Sequence, residues 1–174
     1  MGQFVSQGVQ DFWRWWSHSV TSKGRLPRHD EVEMPPLRRV LTKLWLVEWL
    51  EESDSFRYRL AGETINARFG FNLKGVTAAE LFTPKTCAAV ESAWRQVLAQ
   101  PAVAYQAGEI YPDGQTILLG ERLAVPLLDV ATLRPRFVLG VTDHPPGFPE
   151  DRQTVNPQEA GDSHLFFPID AMLP

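Results

Sequence analysis

The sequence predicts an α+β domain: a five-stranded antiparallel sheet with short helices and one long helix on one face, preceded by an amphipathic N-terminal helix. Three observations predict it. The apolar pattern runs as two strands, short helical turns, a long helix and then three strands. The stretch Phe56–Gly75, FRYRLAGETINARFGFNLKG, passes from an alternating strand straight into helical turns punctuated by Gly62, Gly70 and Gly75. The strand before it, Leu44 to Leu50, is apolar on both faces and so needs cover on both sides of the sheet.

Each element follows from local chemistry. In Phe4–Val20, the residues Val5, Val9, Phe12, Trp13, Trp16 and Val20 fall within one stripe about 100° wide on a helix. Phe4 and Trp15 broaden that stripe, Gly8 weakens the first turn, and Lys23-Gly24-Arg25 ends the helix. Pro35-Pro36 opens a second helix to about Lys43, with Leu37, Val40, Leu41 and Leu44 on its buried side. After the Leu44–Leu50 strand, Glu51 to Ser55 forms a polar hairpin turn. Phe56, Tyr58 and Leu60 then point inward, with Arg57 and Arg59 on the opposite face. A short helix spans Glu63–Phe69, Thr77 caps another through Leu81, and Pro84 starts the longest, to about Ala99.

Three strands are predicted next: Ala102 to about Tyr111, Gln115 to Val125, and Arg136 to Thr142. Pro112-Asp113-Gly114 makes the first turn between them. From His144 the chain is polar and spaced by prolines, and only Leu165-Phe166-Phe167-Pro168-Ile169 has much to bury. That tail is expected to make one hydrophobic contact with its own domain, the alternative being a short docking peptide. The predicted organisation is a flanking helix at 1–25, a domain at 26–144, and a proline-rich, mostly irregular tail at 145–174.

The ordered residues Phe56-Arg57-Tyr58-Arg59-Leu60-Ala61-Gly62, Phe69-Gly70, Leu73-Lys74-Gly75 and Ala79-Glu80-Leu81-Phe82 carry a family likeness. On them the chain resembles a PAS-like family of small bacterial proteins, common in alphaproteobacteria and mostly of unknown function. The resemblance runs from near Leu26-Pro27 through Asp143. It implies a PAS fold and a sensory or signalling role. It leaves ligand and output open, because PAS domains share an architecture while binding different things.

Composition narrows the function. A net charge of −4 supplies no basic surface for nucleic acid. Cys87 is the single cysteine, so an intramolecular disulfide and a cysteine-based zinc site are excluded and a reducing compartment is expected. No apolar run approaches the ~18 residues needed to span a bilayer, and the N-terminus lacks a signal-peptide pattern. A soluble, cytoplasmic protein is expected.

Chemistry is sparse. His18, His29, His144 and His164 lie outside the predicted core and lack metal-ligand spacing, which disfavours both metal and haem. A flavin photosensor of the PAS class needs a cysteine where this chain has Ala67, between Asn66 and Arg68-Phe69. No cofactor is named by these residues. Arg57, Arg59, Glu109, Glu121 and Arg122 interrupt apolar strands and read as cross-strand ion pairs on the outer face or, alternatively, as pocket residues.

The leading expectation is a non-catalytic PAS-type module that binds a small molecule, a protein partner, or both. Tyr58, Leu60, Ile65, Phe69, Leu73 and Trp94 are expected to line its cavity. Phe12, Trp13 and Trp16 either pack on their own domain or form a homodimer or partner interface. The rivals are an adaptor whose pocket is filled by its own side chains, and a small cone-shaped isomerase or dehydratase using Tyr58, Glu109 or Asp143.

Overall fold

The first helix, α1 (Gln7–Lys23), begins where Ser6 accepts hydrogen bonds from the amides of Gly8 and Val9, and ends at Gly24 in a left-handed conformation. In this computed structural model, which describes residues 4–110, 119–147 and 165–169, the remaining elements follow in chain order. They are α2 (Met34–Leu37), β1 (Leu44–Leu50), β2 (Ser55–Ala61), α3 (Glu63–Phe69), α4 (Ala78–Leu81) and α5 (Pro84–Ala99). Then come β3 (Ala102–Glu109), β4 (Leu119–Leu128), β5 (Pro135–Asp143) and β6 (Leu165–Pro168).

All six strands pair antiparallel in the order β2-β1-β5-β4-β3-β6. The predicted α+β class stands, with one strand more than expected. The extra strand is β6, drawn from the tail: Phe166 and Phe167 lie opposite Ala104 and Val103. Ile169, just beyond, is fully buried and donates its amide to the Pro101 carbonyl. The predicted Pro112-Asp113-Gly114 turn lies outside the described residues. Within β4, Pro126 falls past the last residue that β3 pairs, Ala124, so its missing N–H costs no bond on that side.

The sheet is covered on both faces, as the two-sided β1 requires. Leu44 from β1, Leu123, Val125 and Leu127 from β4, and Phe137, Leu139 and Val141 from β5 pack with α1 on the outer face. Trp45 and Val47 from β1, with Ala104, Ala124 and Val138, pack with α3, α4 and α5 on the inner face. Alternation along each strand therefore divides one sheet between two cores.

Two predicted details change. The helix expected over 35–43 is broken: α2 ends at Leu37 and a separate 3-10 turn spans Leu41–Lys43. Leu37 and Val40 are both fully buried, and the amide of Val40 bonds the Leu37 carbonyl three residues back. This tighter winding turns Leu41 to the surface, at 37% exposure, instead of into the core. The second change is in β2. The register with β1 slips between Leu46 and Val47, so Tyr58 faces Val47 and Leu60 faces Leu46, with Arg59 as the extra residue. A one-residue bulge moves later side chains to the other face, and Leu60 is 41% exposed.

Gly140 lies directly opposite Trp45, and a Cβ there would overlap the indole's Cζ2 and Cε2 atoms. Gly140→Ala should therefore destabilise the fold by about 1–3 kcal/mol through overpacking. Urea unfolding is the measurement, and an unchanged midpoint would contradict this packing.

Candidate functional site

The inner face holds most of the residues predicted to line a cavity. Trp94, from the middle of α5, is surrounded by Phe56 at 5.3 Å, Trp45 at 5.7 Å and Tyr58 at 5.9 Å between ring centroids. All four rings are buried. Ile65 and Leu73 join the same cluster, and Phe69 packs at its margin against Phe82, edge to face at 6.0 Å. Asn66 ties the loop down by donating to the Ala61 carbonyl and accepting from the Leu73 amide. The bulge takes Leu60 out of this group. Five of the six predicted residues therefore meet, and they meet in contact with one another.

The outer face is organised by α1. Val9, Phe12, Trp16 and Val20 are completely buried there against the sheet of their own chain. Phe12 and Trp16 have no accessible surface for a second chain, which leaves Trp13, half-buried between Phe4 and Trp16, as the member of the predicted trio that solvent reaches. Stacking on its own domain is what a helix with so wide an apolar stripe achieves at lowest cost.

Two buried carboxylates hold the start of this helix. Glu121 and Asp143 lie opposite one another on β4 and β5. Glu121 is wholly buried and accepts hydrogen bonds from the amides of Val5 (2.7 Å) and Ser6 (2.6 Å) and from the Tyr105 hydroxyl (2.7 Å). Asp143 accepts from the Ser6 hydroxyl and pairs with Lys43 at 2.6 Å. Both acids thus sit at the positive end of α1, where unsatisfied amides and the helix dipole favour negative charge. Gly8 allows the approach: a Cβ there would come 2.9 Å from the Asp143 carboxylate and from Val40. In the sequence this glycine reads as a weak first turn, and Glu121 as part of an outer-face ion pair or as a pocket residue. The outer-face ion pairs instead gather on Glu48, which meets Arg136 at 3.1 Å, Arg57 at 3.4 Å and Arg59 at 3.5 Å.

The other end of α1 is held by charge. Glu31 pairs with Arg25 at 2.7 Å and Lys23 at 3.2 Å, and accepts the Arg28 amide. Hydrogen bonding from Arg25, the largest cause, lowers its carboxyl from the usual 4.5 to about 2. Between these two anchors lies an open cleft of about 680 Å³, bounded by α1 and the segment 31–39. Trp15, Arg14, His18 and Ser19 line it from the helix, and Arg38 and Arg39 from the segment. None of these six stood out in the sequence as a site. Their signal there was a change of charge, since the basic residues concentrate before Leu44.

His29 is stacked on Phe137 at 4.1 Å, and His18 lies in the cleft. No three His, Cys, Asp or Glu side chains gather as a metal site among the described residues. Burial, followed by the Glu91 carboxylate, pushes the Cys87 thiol above its ordinary value, which disfavours the thiolate. No described helix is long and apolar enough to cross a membrane.

Comparison with protein families decides the class: a family model for the PAS domain matches residues 5–142. This chain belongs to the PAS domain family. The match begins at Val5, so it takes in α1, Glu31, Glu121 and strands β1 to β4, and it ends within β5, one residue before Asp143. Among curated proteins none matches. At family level a PAS domain is a sensory or signalling module, and PAS domains are generally non-catalytic.

Within this PAS domain, Glu121→Ala should orphan two amides at the start of α1, costing about 1–3 kcal/mol for each. Tyr105→Phe, which removes one of the three donors and orphans nothing, should cost less. Hydrogen exchange over α1 together with urea unfolding distinguishes the two variants, and equal effects would contradict the anchor. The depressed Glu31 carboxyl adds a pH dependence. Its contribution is complete above its unfolded value of 4.5 and is lost as pH falls toward 2. Exchange protection at the C-terminal end of α1 should fall over that window in the parent protein, and Glu31→Gln should remove this component.

Proposed function

We propose that this PAS domain is a non-catalytic signalling module whose inner face is filled by its own aromatic side chains. Its output passes through α1 to a protein partner or to a second copy of the chain. The enclosure of Trp94 by Trp45, Phe56 and Tyr58 carries this reading. A small molecule bound in place of Trp94 must displace a buried indole with three rings around it, and burial of such a ring is worth several kcal/mol. The side chains that a sensor would offer to a ligand are here spent on each other.

The two buried carboxylates support the non-catalytic reading, because both are occupied in holding α1. They also support α1 as the element through which a signal passes. The helix is fastened at its ends by polar contacts, Glu121 and Asp143 at one and Glu31 at the other, and such contacts have discrete alternatives. A partner that favours a shifted α1 moves the population toward it. Trp13 keeps accessible surface on this helix and suits the centre of a contact. The single cysteine suits a reducing, cytoplasmic setting.

Native mass spectrometry of the full chain tests the filled inner face. The expected spectrum shows polypeptide without a stoichiometric small molecule. A co-purifying molecule whose removal shifts the Trp94 and Tyr58 side-chain resonances would overturn the reading. Light scattering tests the second copy: a concentration-dependent dimer that Trp13→Ala weakens supports self-association through α1, and a strict monomer eliminates it.

A further inference from the structure

Residues 1–43 contain seven Lys and Arg against four Asp and Glu, in a chain whose net charge is −4. Four of those seven basic residues, Arg14, Lys23, Arg38 and Arg39, line the cleft between α1 and the segment 31–39. Its volume of about 680 Å³ lies in the range of small-molecule sites.

The walls of this cleft are fixed from outside it. Leu37 and Val40 are fully buried on either side of Arg38 and Arg39, so the two exposed guanidinium groups project from pinned backbone. Across from them, Trp15 is held against the core with Phe12 at 6.0 Å. The acids of the cleft do not balance its cations. Asp11 is shared by Arg14 at 3.0 Å and Arg39 at 4.0 Å, and Arg38 has no ion-pair partner among the described residues. Glu31 is already engaged by Lys23 and Arg25, with Arg28 at 3.7 Å, and Glu33 is the remaining acid along the rim.

We infer that this cleft is a binding site for a small organic anion, an aromatic carboxylate or phosphate ester. The acid group is received by Arg14, Arg38 and Arg39, whose planar donors suit either anion. The ring lies toward Trp15, with His18 and Ser19 as polar neighbours. Such a ligand bridges α1 and the segment beside it, so its binding stabilises the docked helix. The site stands whether or not the inner face is self-filled, because none of the residues around Trp94 lines the cleft.

Nuclear magnetic resonance titration of the full chain with phenyl phosphate, benzoate, inorganic phosphate and phenol tests this site. Phenyl phosphate or benzoate should give saturable shifts at the Trp15 indole and at the backbone amides of Ser19 and Arg39. Inorganic phosphate should bind more weakly than phenyl phosphate, and phenol more weakly than either aromatic anion. The double substitution Arg38→Ser and Arg39→Ser removes two exposed side chains and should weaken binding about tenfold or more. Its own spectrum reports whether the fold is retained, and Arg14→Ser supplies a second variant from the other wall. Three results would overturn the site: no saturable shift at millimolar probe, binding unchanged in the folded variants, or phenol binding as tightly as the anions. Each of them leaves the inner-face reading unaffected.

Discussion

Glu121 is the constraint on which the arrangement of this domain turns. A carboxylate with no accessible surface is costly to bury, and its cost is offset only when hydrogen bonds replace the lost water. Here the donors come from the start of α1 and from Tyr105 on β3. The same group therefore joins β4, β3 and the N-terminal segment. Asp143, directly across the ladder, would repel it, but Lys43 and the Ser6 hydroxyl absorb that second charge. The helix that covers the outer face is thus selected by chemistry at one point as well as by apolar area along its length.

That cover is what makes a sheet with two apolar faces tolerable. With α1 docked, Leu123, Val125, Leu127 and their neighbours leave water on one side while Trp45, Val47 and Val138 pack on the other. The inner face is then crowded by large rings. Trp45 lies over Gly140 and donates its indole N–H to the Thr142 hydroxyl at 2.9 Å, which sets its position against Trp94. A glycine opposite a tryptophan, with a hydroxyl at the right reach, lets the indole lie close against the sheet. An open cleft lies beside α1, lined by Arg14, Lys23, Arg38 and Arg39.

Much of the fold was legible in the sequence because its signals are local. Thr77 and Glu80 form the capping box that starts α4, and Pro84 occupies the first turn of α5. The inward placement of Phe56 and Tyr58 followed from strand alternation and that of Trp94 from helical spacing, while Ile65 and Leu73 were expected in the cavity without such a pattern. Leu60 did not, since a bulge leaves no mark in the alternation of Tyr58, Arg59 and Leu60 and arises from pairing with β1. Leu41 was misplaced for a similar reason: the 3-10 turn that exposes it is set by burial of Leu37 and Val40 against a distant sheet. The cleft was not read from the sequence, because its two walls are a helix and a loop that local signals cannot juxtapose.

By itself the sequence determined the class of the domain, the order of its main elements, and the need for cover on both faces of the sheet. Those follow from side-chain period, caps and turn residues, which act within a few positions of one another. The tertiary structure alone decided that the tail segment Leu165–Pro168 becomes a strand, because four residues with a terminal proline form one only when the edge of β3 supplies partners. It alone decided that Phe12 and Trp16 are spent on their own sheet, since a helical stripe states that a face is apolar without stating what covers it. It also decided that Glu121 anchors a helix: a lone acid in a strand acquires its meaning from amides more than a hundred residues away.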